Sequence, residues 1–367
     1  MSNNYDDYKP LNPMPPRKRK NSALNFVKYS IVFLLILALA ISAAFFITSY
    51  KNDRDGGSDN MGYMPSETTS PDNTGKEDGT EDVPDITEDV PTANEPENSG
   101  INLDDCAVFE VNKEGINKGS LIFVSENYKA VYPSDEELVK ISDNKSAGYG
   151  LSSNTMLIHK DIMDIMDKML TDFVTATGHN DLVIQTSYRT EERQKEVYDR
   201  NVANLGEEKA NATTAKPGAS DHHTGYTIAL KVIRDGKTYT LNELEGYDWI
   251  LENCHKYGFI ERYPESKVDK TNISYTSALC LRYVGFPHAE IIKKNNLCLE
   301  EYITSVKDYA FGRAHYKYTT EEGTSYEIYY VNGEVEGKTV KVSVPKNKEY
   351  TISGNNMDGF IVTVKNN

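Results

Sequence analysis

Apolar positions fall into three regimes along the 367-residue chain. Residues 29–50 carry no charged side chain, and 31–47 are almost wholly apolar. That is enough for the roughly 20 helical residues that cross a bilayer core of about 30 Å. From 52 to 100 the only large apolar residues are Met61, Tyr63, Met64, Val83, Ile86 and Val90, set among Pro, Gly, Ser, Thr, Asn and acids. Such a stretch cannot bury enough surface to offset the entropy of ordering it, and predicts an extended tether. From about residue 101 onward the pattern is that of a folded domain.

Within that domain, 121–124 reads as a short strand. Residues 160–177 place Ile162, Met166, Met169, Leu170 and Phe173 on one helical face. A buried strand at 182–185 leads through Ser187 and Tyr188 into a second helix, with Thr190 as its N-cap and Glu191 and Glu192 in its first turn. A third helix is predicted over 246–257, stopped by Gly258, and Pro287 suits the first turn of a fourth. Beyond Phe311 the period changes to two, over 326–331, 339–344 and 360–364, with Asn332-Gly333 as a hairpin signal. Short strands and helices in mixed order predict an α+β domain with a β-rich tail.

Charge sharpens the division. Residues 1–28 hold six Lys/Arg against two Asp, whereas 52–100 hold fourteen Asp/Glu against two basic residues. The cluster Arg17, Lys18, Arg19, Lys20 and Lys28 precedes the apolar run, which predicts a cytoplasmic N-terminus and an uncleaved anchor rather than a signal peptide. The net charge of −16 argues against nucleic acid as a partner. Four cysteines (106, 254, 280 and 298) match no zinc spacing, and Cys254 and Cys298 fall in apolar helical stretches as expected of core residues.

Two stretches concentrate polar residues at turns. One is Thr186-Ser187-Tyr188-Arg189-Thr190 with Gln194; the other runs from Pro217 through Ser220-Asp221-His222-His223-Thr224-Gly225. An Arg at a strand-to-helix junction is placed to fork onto a carboxylate. Alone, Arg189 would serve as well in a structural ion pair, and His222 as a structural histidine. Together with Tyr257-Gly258-Phe259-Ile260, Arg262-Tyr263-Pro264 and Leu281-Arg282-Tyr283-Val284-Gly285, in that order, these motifs resemble the VanY-type D-alanyl-D-alanine carboxypeptidases, zinc peptidases acting on cell-wall stem peptides. The resemblance spans about 115–308. It implies a small central antiparallel sheet with flanking helices and a substrate groove containing Tyr188, Arg189, Gln194 and Ser220.

The departures from that family matter as much as the match. The family's second motif reads Ser-x-His-x-x-Gly-x-x-x-Asp, with His and Asp binding zinc. Here the His is His222, but the Asp position is Ala229. A later Glu-x-x-His supplies the family's catalytic base and third ligand; aligned on Arg282–Gly285, those positions are Ser277 and Cys280. Only His222 keeps its identity among the ligands, and no catalytic residue is intact. Cys280 can ligate as a thiolate, and Asp221 or His223 are the candidate substitutes, although on a strand the neighbours of His222 would point to the opposite face.

The resulting expectation is a basic cytoplasmic tail (1–28), a transmembrane helix (29–50), an acidic linker (51–104), a VanY-like domain (105–310) and a β-rich extension (311–367). The whole is expected as a single-pass membrane protein with its folded part outside the cell. The domain is expected to be catalytically degenerate, to need no cofactor, and to bind peptidoglycan stem peptide or a wall-enzyme partner. Two alternatives stay open: an active carboxypeptidase with a zinc site rebuilt from His222 and Cys280, and a protein-interaction scaffold using the β-rich tail.

Overall fold

The computed structural model describes residues 105–274 and 278–366. The expected tail, anchor and linker lie outside the described residues, as does Ser277. Among the described residues no helix is long and apolar enough to cross a membrane.

In chain order the strands are β1 (Cys106–Asn112), β2 (Leu138–Lys140), β3 (Gly150–Leu151), β4 (Leu157–His159), β5 (Leu182–Thr186), β6 (Thr227–Arg234), β7 (Lys237–Tyr239), β8 (Phe259–Glu261), β9 (Leu279–Tyr283), β10 (Tyr316–Thr319), β11 (Ser325–Asn332), β12 (Thr339–Pro345), β13 (Glu349–Gly354) and β14 (Gly359–Lys365). The main helices are α1 (Lys160–Thr177), α2 (Glu191–Leu205), α3 (Glu207–Thr213), α4 (Trp249–Asn253), α5 (His288–Lys294) and α6 (Leu299–Val306). The central sheet runs β3-β5-β6-β9-β8, with β7 folded back on β6. Its pairs are antiparallel except β3 with β5. The fold is the expected α+β arrangement, central sheet with flanking helices.

Periodicity explains the core. Helix α1 buries Ile162, Met163, Met166, Met169, Leu170 and Phe173, a stripe at i, i+3, i+4 and i+7 spacing. It ends at Gly178, whose φ of +75° is the left-handed cap that glycine adopts without strain. Against that stripe β6 presents Ile228, Leu230 and Val232, all inaccessible to solvent. The intervening residues of β6 therefore face the other side of the sheet. Thr190 caps α2 by accepting from the Arg193 amide. Cys254 and Cys298 carry buried thiols in no disulfide. The third helix begins later than its pattern predicts, at Trp249, and tightens over Cys254–Tyr257 before Gly258 ends it at φ +78°.

Two expectations are corrected. Residues 121–124 bury Leu121, Ile122 and Val124 but form no strand and join no ladder. The Leu121 amide donates to Ser353 Oγ and the Phe123 amide to the Asn355 carbonyl, while the Ser120 and Ile122 carbonyls accept from Arg282 Nη2. With those groups satisfied, a partner strand is not required. Nor does Asn332-Gly333 form a hairpin. β11 is already flanked by β10 and β14, so β12 has no edge to join and pairs instead with β1. Gly333 instead sits in close packing: a Cβ there would lie 3.0 Å from the Asp358 carbonyl oxygen and 2.6 Å from Ile116 Cδ1.

The four-stranded sheet β10-β11-β14-β13 shares a core with α5 and α6. His288 joins all three, Nδ1 with the Tyr302 hydroxyl at 2.6 Å and Nε2 with Thr363 Oγ1 at 2.9 Å. The first strand of the folded part thus completes the β-rich extension, and the extension is built onto the α+β domain.

Candidate functional site

Thr186, Ala229 and Cys280 form one row across three strands. Thr186 is the register partner of Ala229, and Ala229 that of Cys280. Their side chains share the face turned away from α1, because directly paired residues project to the same side. A register irregularity between Ile184 and Thr186 lets β5 turn out of the sheet there.

The turn after β5 is held from outside. Ser187 Oγ and the Tyr188 amide both donate to the Leu157 carbonyl, and the Arg189 amide donates to the His222 carbonyl. The Arg189 guanidinium donates from Nη1 to Gln194 Oε1 at 2.6 Å and from Nη2 to Thr186 Oγ1 at 3.2 Å. Both acceptors are neutral. Burial pushes the guanidinium down to about 10; among the charges acting on it most strongly, Cys280 and Tyr263 favour its charge while Arg193 and Arg200 oppose it. Gln194 is buried, and its Nε2 donates to the Ala215 carbonyl at 2.6 Å, so it braces Arg189 from behind. Half-buried Tyr188 has its phenol pushed up, chiefly by burial.

His222 lies on a tight helical turn, Asp221–Thr224, rather than on the strand that the sequence suggested. Ser220 caps that turn, its Oγ accepting from the His222 amide at 3.3 Å, and is itself buried. Gly225 ends it at φ +73°. His222 Nδ1 sits 2.8 Å from the Ser187 carbonyl, so that nitrogen carries the proton and the lone pair is on Nε2. Burial, then the charge of Arg189, hold this imidazole well below its ordinary value, so it is neutral.

The neighbours of His222 are already engaged. His223 donates from Nδ1 to the Arg189 carbonyl at 2.6 Å and accepts at Nε2 from the Gly218 amide at 3.1 Å, leaving neither ring nitrogen for a ligand. Asp221, 1% exposed, accepts from Arg262 Nε at 2.7 Å, Arg282 Nη1 at 2.9 Å and the Tyr263 hydroxyl at 3.2 Å. Arg262 also grips Glu300 through both terminal nitrogens. Each arginine charge has a carboxylate within reach, and the network is nearly dry.

A catalytic zinc takes three protein ligands and keeps one open position. Among the described residues no group of three His, Cys, Asp or Glu side chains is arranged to hold a metal ion. Ala229 has no donor atom, Asp221 and His223 are held by the protein itself, and what remains is His222 and Cys280. This donor set does not fit a three-ligand centre. Sequence reasoning missed two features of this face of the sheet: Thr186 as a direct partner of Arg189, and Lys231, which shares the face of Ala229. Period-two counting along β6 from Ala229 would have found Lys231.

A family model described as VanY, D-alanyl-D-alanine carboxypeptidase, matches residues 155–286. A D-alanyl-D-alanine carboxypeptidase of Enterococcus faecium is 33% identical over 273 residues, 73% of this chain and 82% of that protein. The putative carboxypeptidase YodJ of Bacillus subtilis (strain 168) is 38% identical over 154 residues, 41% of this chain and 55% of that one. Among solved structures, the vancomycin-resistance D,D-dipeptidase VanXYg, crystallised with a D-Ala-D-Ala phosphinate analogue, superposes with a TM-score of 0.62 at 27% identity, over 71% of this chain and 99% of that chain. Likeness over most of the length of the enterococcal enzyme, together with the same fold, makes this chain a member of the VanY-type D-alanyl-D-alanine carboxypeptidase family.

Proposed function

We propose that this protein is a membrane-anchored, extracytoplasmic member of the family that has lost peptidase chemistry and kept a groove for the C-terminal end of a peptidoglycan stem peptide. The carrying observation is the row Thr186–Ala229–Cys280 beside Arg189: a guanidinium with only neutral partners, next to a position that offers a metal no donor. A half-buried arginine cannot shed its charge and gains from an anion that reaches it. A peptide carboxylate supplies one, bound bidentately without any chemistry. Hydrolysis needs more. The family base falls on Ser277, and loss of a positioned base alone costs about 10²–10⁴ in rate. Loss of a metal-activated water compounds that. The uncharged run at 29–50, with basic residues before it and the acidic tether after it, supports an anchor that holds the groove at the wall.

Incubating the full-length protein with stem pentapeptide and zinc, and assaying free D-alanine, tests the reading. The expected result is no release above background, with saturable peptide binding that chelator leaves unchanged. Steady release at an ordinary enzymatic turnover, on the order of 1–10³ s⁻¹, with zinc bound at one per chain and lost in His222→Ala, would instead establish a rebuilt metallopeptidase. Absence of peptide binding, with a stable protein partner captured by crosslinking, would establish the scaffold.

A further inference from the structure

β6 alternates strictly. Ile228, Leu230 and Val232 are inaccessible on the α1 side, so Thr227, Ala229 and Lys231 share the groove side. Lys231 is the register partner of Val183 on β5, one row beyond Thr186 and Ala229. Two residues along a strand are about 7 Å. The ammonium is half-buried, burial alone pushes it down, and no carboxylate of the described residues acts on it or pairs with it. Arg189, at the other row, likewise hydrogen-bonds no carboxylate, its guanidinium partners being Gln194 and Thr186. Ala229, paired with Cys280, is the next residue of β6 on that side.

That placement sets this face apart from the rest of the domain. Arg262 and Arg282 are matched to Asp221 and Glu300 within hydrogen-bond distance. Among the described residues, neither Arg189 nor Lys231 has a carboxylate within hydrogen-bond distance. One small anion cannot reach both rows, but an extended peptide can, because acidic groups two residues apart repeat the same spacing of about 7 Å. We propose that Lys231 is a specificity residue that takes a second carboxylate of an acidic peptide whose C-terminal carboxylate sits on Arg189, a role that rests on the groove reading above.

The test uses the full-length protein and two synthetic probes, N-acetyl-D-Glu-D-Ala-D-Ala and its D-Gln counterpart, titrated by calorimetry. The acidic probe is expected to bind about fivefold tighter, the scale of one partly screened ion pair. The preference is expected to vanish in Lys231→Met and to reverse in Lys231→Glu, with unchanged thermal unfolding as the control for folding. Equal binding of the two probes, abolished by Arg189→Met, would overturn the role of Lys231 and leave the groove reading standing. A preference that survives in Lys231→Met would overturn it as well. Binding of neither probe would overturn both.

Discussion

Arg262 and Arg282 hold the Asp221 side chain and the Arg189 amide holds the next residue's carbonyl, yet the guanidinium groups are treated oppositely. Arg262 and Arg282, 2% and 0% exposed, are locked onto Asp221, with Glu300 taking the other end of Arg262. Arg189 leans on an amide and a hydroxyl. Arg262 and Arg282 have their counter-charge built in and hold the His222 turn against β8, β9 and α6. Arg189 is left beside a sheet row, Thr186–Ala229–Cys280, that offers it no carboxylate. His288 shows what a buried base does when it can lose its proton: between Tyr302 and Thr363, its pKa is lowered to about 3 by burial, so it stays neutral. Arginine lacks that route, so the half-buried Arg189, without a carboxylate, is open to one from a ligand.

The largest expected effect comes from changing the groove rather than the clamp. Placing donors back at the paired positions, Ala229→Asp with Cys280→His, completes three ligands with His222. It is expected to turn negligible zinc binding into binding at one ion per chain, by elemental analysis after dialysis. Failure of the double variant, correctly folded, to take up zinc would break the inference that these cross-strand positions are the ancestral ligand seats. Next is the clamp. Asp221→Asn leaves Arg282 buried without a carboxylate and is expected to lower stability by about 3–5 kcal/mol in denaturant unfolding. A loss under about 1 kcal/mol would mean that the two sets of arginines are not so different.

The pH dependence follows with a definite sign. His288 in the unfolded chain titrates near its ordinary value, whereas in the fold it holds off protonation to about 3. The unfolded state therefore binds the extra proton first, and stability falls as pH drops from about 6.5 toward 3. The slope reaches about 1.4 kcal/mol per pH unit for this one group. His288→Gln should flatten that slope in pH-dependent melting. The smallest effect on the fold is expected at Arg189. Arg189→Met is predicted to change unfolding free energy by less than about 1 kcal/mol while abolishing peptide binding. If instead it destabilised as much as Asp221→Asn, Arg189 would belong with the clamp.

Much of this was legible along the chain. The stripe of α1, the Thr190 cap, the left-handed Gly258 and the period-two strands after Phe311 are local signals, and they appear where the pattern put them. The hairpin at Asn332-Gly333 failed for a nonlocal reason: both edges of β11 were already taken. Residues 121–124 failed similarly, their backbone groups satisfied by Arg282, Ser353 and Asn355 from far along the chain.

At the groove the division is equally sharp. An alanine at 229 offers no donor in any fold, and a neutral-capable histidine at 222 offers one; both facts belong to the residues themselves. Which of Asp221, His223 and Cys280 could stand in as a ligand was decided only by folding. Hydrogen-bond partners 34 to 61 residues away claim Asp221 and Nδ1 of His223, the nearby Gly218 amide claims its Nε2, and antiparallel register sets Cys280 against Ala229. Local periodicity records which face a side chain occupies, but the saturation of a charge depends on everything that packs around it, and that sum exists only in the tertiary structure.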